Sequence, residues 1–192
     1  MLKKWFVNLL ERIFSYGYDE EAYLLEYAKR SRYFAVNKNS AIFSNSGIRH
    51  KEIILSDIFH TAEKYVKIYY PNFDEFNSNN IILIAAIKKF LEQDNVECKI
   101  ILDTYKADSY IIQLFEKYKN VEINILPTMY FNDMKNEFNE DGRVYMVFSD
   151  SRMFRLETTT TAYCCFNDEE KTKILEKLFD KYYNLINNNE DI

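Results

Sequence analysis

The chain has 192 residues, with 25 Lys and Arg against 30 Asp and Glu and a net charge of -5. Hydrophobic residues make up 47% and aromatics 17%, with only 3 Gly and 2 Pro, which excludes a disordered chain and suits one domain with a buried core. No basic block is present to neutralise a phosphate backbone, so non-specific nucleic-acid binding is disfavoured while a local basic groove stays open.

In chain order, Leu2, Trp5, Phe6, Leu9, Leu10, Ile13 and Phe14 recur at helical spacing with Lys3, Lys4, Glu11 and Arg12 between them. This is an amphipathic helix, expected to dock on the domain or a partner in preference to a membrane surface. Asp19, Glu20 and Glu21 form the acidic start of a second helix that runs to about Lys29. Residues 31–46 mix apolar pairs with Asn and Ser and read as a strand or hairpin, so residues 1–46 form an N-terminal helical extension. From Gly47 the apolar positions Ile48, Ile53, Ile54, Ile58, Phe59, Ala62 and Tyr65 turn helical again.

The stretches 66–73, 79–94, 96–103, 108–120 and 121–127 then read as β-α-β-α-β, which calls for parallel strands with helical crossovers. Residues 128–142 are too rich in Asn and acids for a core element and read as a surface loop. Three short strands follow at 143–149, 152–158 and 161–166, then a final helix over 167–188 with Asn167 or Asp168 as its N-cap. Residues 189–192 read as a frayed tail, and no internal repeat is visible. The three cysteines, Cys98, Cys164 and Cys165, make neither a disulfide framework nor a CxxC pair, which fits a reducing, cytoplasmic setting. No membrane span and no secretion signal are read.

Few residues offer chemistry. His50, Lys51 and Asp57 imitate a phosphodiesterase spacing, but the lysine is one position early and the flanking pattern is helical. His50 is therefore a helix-start residue, and His60 a packed or surface one. Asp74, Glu97 and Lys99 imitate the D…ExK pattern of metal-dependent nucleases, with Glu97 and Lys99 on one face of a strand. Because a helix separates Asp74 from the pair, exposed charges are the plainer reading. No phosphate-cradling glycine motif exists, and with two His a His-based metal cluster is disfavoured; no cofactor is implied. Arg143, Arg152 and Arg155 could gather at one sheet end with Asp150 and Glu157, either to bind an anion or as an internal salt-bridge set. Cys164 and Cys165 point to opposite faces of their strand, so at least one is core.

The order of elements, with the runs NVECKIILD, VEINILP and RVYMVFSDSRMFRLETTTTAYCCFNDEEKTKILEKLF, resembles the phospholipase D-like family over roughly residues 47 to 186. The resemblance implies a mixed α/β sheet flanked by helices over 47–188, with N-terminal helices added. Its HxKxxxxD motif falls on Arg143, Tyr145 and Asp150, of which only the aspartate matches. Arg143 cannot act as a nucleophile and Tyr145 has no positive charge. The resemblance therefore implies a catalytically silent module for binding or assembly, as in a bacterial multi-component system, with a protein partner. Because the family needs two facing motifs and this chain holds one copy, a homodimer is expected. Two alternatives stay open: a phosphodiesterase or nuclease with an altered site, and a small-molecule-sensing regulatory domain with a pocket near Pro71, Asp103 and Pro127.

Overall fold

The computed structural model describes residues 20–44, 47–74, 76, 80–138 and 144–188. The expected helix over Leu2 to Phe14 and the tail 189–192 lie outside them. Helix α1 spans Glu20–Val36, strand β1 Phe43–Ser44, α2 Ile48–Thr61, β2 Tyr65–Tyr70, α3 Ile81–Leu91, β3 Glu97–Leu102, α4 Tyr110–Phe115 and β4 Val121–Ile125. A 3-10 turn at Thr128–Tyr130 leads into α5 (Phe131–Asn136), followed by β5 (Tyr145–Ser149), β6 (Met153–Glu157), β7 (Ala162–Cys165) and α6 (Glu169–Asn188).

The strands form one mixed sheet in the order β1-β7-β6-β5-β2-β3-β4. β2, β3 and β4 are parallel, while β5, β6, β7 and β1 add antiparallel strands on the other side of β2. The α/β reading and its parallel β-α-β-α-β core are therefore present. β2 lies inside the sheet between β5 and β3 and buries side chains on both faces, which is why its sequence YVKIYY does not alternate apolar with polar, Lys67 being buried as well. Ile68, Tyr70, Ile100, Val147 and Cys164 join the core beneath α2, α3 and α4, whereas Tyr69, Ile101, Met146, Phe154 and Cys165 join the core beneath α6. Both adjacent cysteines are thus core residues on opposite faces.

Two segments differ from the sequence reading. The second helix does not stop near Lys29; it continues to Val36, because Ser31 and Ala35 bury against α2 and that packing outweighs the local aromatic and polar content. The segment 128–142 is not only loop: its 3-10 turn and α5 are pinned by Met134, which is fully buried. Two helix starts are capped by side chains. The Asn80 side chain accepts from the Leu83 N–H at 2.9 Å, and Asp168 Oδ1 accepts from the Lys171 N–H at 2.9 Å.

Candidate anion-binding site

The chain runs from β2 outward through β3 to β4, then returns past β2 to lay down β5 on its other side. The direction of winding reverses between β2 and β5, and the carboxyl end of β2 at this point is where open α/β sheets place ligands. Tyr70 ends β2 and Tyr145 begins β5, their ring centroids 4.6 Å apart in an edge-on contact. Lys51, in the first turns of α2, reaches over this pair. Its Nζ lies 4.6 Å from the Tyr145 ring centre and 5.6 Å from that of Tyr70.

Arg155 comes up from the sheet beside them. It stands opposite Val147 of β5 and Cys164 of β7, on the face covered by α2, and is fully buried. Its Nη2 donates to Glu157 Oε2 at 2.6 Å, and the same oxygen lies 3.1 Å from Lys51 Nζ. One carboxylate thus serves two buried cations. Arg155 Nε and Nη1, both buried, have no hydrogen-bond partner among the described residues. Tyr27 of α1 brings a buried hydroxyl that is likewise unpartnered there, its ring 4.4 Å from that of His50. Burial above all, and then the nearby Cys164, push the Tyr27 hydroxyl far above the usual tyrosine value, against the pull of Arg155. The phenol therefore stays protonated and able to donate. Leaving a buried donor unmade costs about 1–3 kcal/mol, and more when it is charged. Among the described residues, two cations, one carboxylate and three polar groups without a partner gather in one place, an arrangement chemically suited to an oxyanion. Glu157, with its side chain 21% exposed, marks the solvent side.

The residues singled out from sequence are only partly brought together. Arg155 and Glu157 do meet, but Arg152 does not join them: its guanidinium donates to the Thr61 and Phe166 carbonyls at 3.2 and 3.0 Å, at the far end of α2 from Lys51. Ten residues of helix separate the two ends, about 15 Å. Asp150 belongs to that far end as well. Its carboxylate accepts the backbone N–H groups of Glu63, Lys64 and Tyr65 at 2.8, 3.0 and 3.3 Å, and Asp150 and Ser151 take left-handed φ values of 53° and 51° in the β5–β6 turn. Asp150 and Tyr145 sit at opposite ends of β5, about 17 Å apart along a strand, so these two motif positions do not converge. Arg143 lies outside the described residues.

The D…ExK constellation does not assemble either. Glu97 pairs with Tyr65 at the start of two parallel strands, while Asp74 lies beyond the end of β2 and pairs with Lys106. Lys99 instead contacts Glu97 at 3.4 Å and the Tyr183 ring at 5.1 Å. Among the described residues no group of three or more His, Cys, Asp or Glu could hold a metal ion. Near the expected pocket, Asp103 accepts a 2.7 Å bond from the Tyr69 hydroxyl. His50 and His60 both lie on α2. Lys51 was missed as a site residue although it repeats at helical spacing with Ile54, Leu55 and Ile58; a lysine on a buried stripe is the signal.

No family model matches the chain, and no curated protein matches it. Among solved structures it is similar to TrmBL2, described as an archaeal chromatin protein with a novel mode of DNA binding, at 14% identity and a TM-score of 0.49 over 94% of this chain and 65% of that one. The chain spans under two thirds of that protein's length, and a likeness at this level bears on no site. The phospholipase D-like assignment is corrected: no family model matches the chain, and TrmBL2 is a solved structure to which it is similar. The silent assembly module and the family-derived homodimer fall with it. Among the described residues no helix is long and apolar enough to cross a membrane.

Proposed function

We propose that this domain binds a small oxyanion, a carboxylate or a phosphate, at the buried cationic site built by Lys51, Arg155 and Tyr27. The observation that carries the reading is Arg155: a fully buried guanidinium with two nitrogens unpartnered among the described residues, beside a buried hydroxyl in the same state. A ligand oxygen would supply the missing acceptors, and Glu157 would hold the two cations in place meanwhile. The position at the sheet's reversal point supports the same reading. Nothing in the reading requires bond cleavage; it is a binding function.

Thermal melts of the full chain with phosphate, acetate and citrate, against sodium chloride at equal ionic strength, test it. An oxyanion that binds the folded state raises the melting temperature with concentration, and Arg155→Met removes that response without lowering the melting temperature in its absence. Equal responses to chloride and to every oxyanion, or an undiminished response in Arg155→Met, would overturn the reading.

A further inference from the structure

A groove of about 800 Å³ lies on the outer side of α1, α2 and the start of α3, away from the cationic site. Its apolar lining includes Leu24, Leu25, Tyr33, Val36, Ile53 and Ile82, of which Leu25 is 56% and Ile82 70% exposed. Large aliphatic side chains gathered in an open groove mark a surface that something covers. We propose that the occupant is the chain's own N-terminal segment, residues 2–14, through the stripe of Leu2, Trp5, Phe6, Leu9, Leu10, Ile13 and Phe14.

Reach and length favour this occupant. The segment lies outside the described residues, but the chain emerges at the groove: α1 begins at Glu20, and Glu21 already lines it. Residues 15–19 can span up to about 17 Å, enough to reverse direction. Thirteen residues at helical rise measure about 20 Å, and α1 from Glu21 to Val36 rises about 22 Å, so the segment matches the groove when laid back along α1. The seven-residue stripe supplies apolar groups of the kind the lining leaves exposed, and helical spacing puts Lys4, Glu11 and Arg12 outside that stripe.

The chain's single tryptophan, Trp5, reports on this directly. In the wild-type chain its emission is expected to be blue-shifted and poorly quenched by acrylamide at every protein concentration. Leu25→Lys and Ile82→Lys, both at exposed positions, are expected to red-shift the emission and raise quenching several-fold, while far-UV circular dichroism confirms that the domain stays folded. A fully quenchable Trp5 in the wild type, or shielding indifferent to both substitutions, would overturn the proposal. So would shielding that grows with protein concentration, which assigns the groove to a second copy, or shielding that arises only on anionic vesicles.

Discussion

Lys51 and Arg155 share a single acceptor, Glu157 Oε2, at 3.1 and 2.6 Å. Both cations are buried, so this oxygen is the electrostatic keystone of the site, and removing it has a different consequence from removing either cation. Glu157→Gln removes the carboxylate that the two buried cations share and is expected to cost about 3–5 kcal/mol in urea unfolding. Added phosphate or acetate is expected to restore part of that loss. Destabilisation with no anion response would argue that Glu157 matters to the fold alone.

Arg155→Met exchanges the guanidinium for an apolar side chain of similar length in a fully buried place. In the variant Lys51 still faces Glu157, so the carboxylate is not left alone, while the desolvation of the guanidinium and its two unpartnered nitrogens are removed. The variant is therefore expected to unfold at an equal or higher urea concentration while losing anion binding at least tenfold by calorimetry. A loss of stability of several kcal/mol would mean that the unpartnered nitrogens have a structural partner after all.

Asp150 is expected to act on stability alone. Its carboxylate accepts three successive N–H groups at the α2–β2 junction, so Asp150→Ala should lower unfolding free energy by about 2–4 kcal/mol, each bond to a charged acceptor contributing about 1.5–3 kcal/mol before relaxation and water offset part of the loss. Asp150→Asn keeps a carbonyl acceptor and tolerates φ 53°, so its effect should be smaller. Anion affinity should not change in either variant, and a change would tie the two ends of α2 together.

The parallel core was legible because short apolar runs alternate with amphipathic ones from Val66 onward, and each run is one element, buried in β2 and β3 and partly exposed in the edge strand β4. The second half of α1 was not, since SRYFAV carries no helical stripe strong enough to outvote its aromatic and β-branched residues; its helix is held by contacts with α2 that come from elsewhere in the chain. The helix α5 hid for the opposite reason, resting on one buried side chain, Met134, in an otherwise polar stretch. Arg155 was legible only as one of three arginines, with Arg143 and Arg152, that could gather at a sheet end. Its neighbour across space, Lys51, could be found only by asking which helix face a lysine occupied. The family likeness misled because it rested on an order of elements and one matching motif residue, Asp150, which the fold uses to accept three backbone N–H groups at the α2–β2 junction.

Asp57, on α2 and almost fully buried, gives a pH dependence whose sign can be worked out. Its carboxylate accepts from Ser31 and, at 2.5 Å, from Arg32 Nε, joining α1 to α2. Burial is the largest influence and raises its pKa above the ordinary 3.8, outweighing Ser31 and Arg32, which lower it. The folded state therefore holds this proton more tightly than the unfolded chain. The protonated carboxyl contributes stability that is fully present below the unfolded value and is lost as pH rises through the folded one. Asp57→Asn has no such proton to lose. As pH rises above the unfolded value, the urea midpoint of the wild type is expected to fall relative to that of Asp57→Asn until the folded carboxyl has ionised, and then to run parallel to it. A wild type that gains on the variant over this range would show that Ser31 and Arg32 dominate and that the α1–α2 joint is held by a carboxylate whose pKa is depressed.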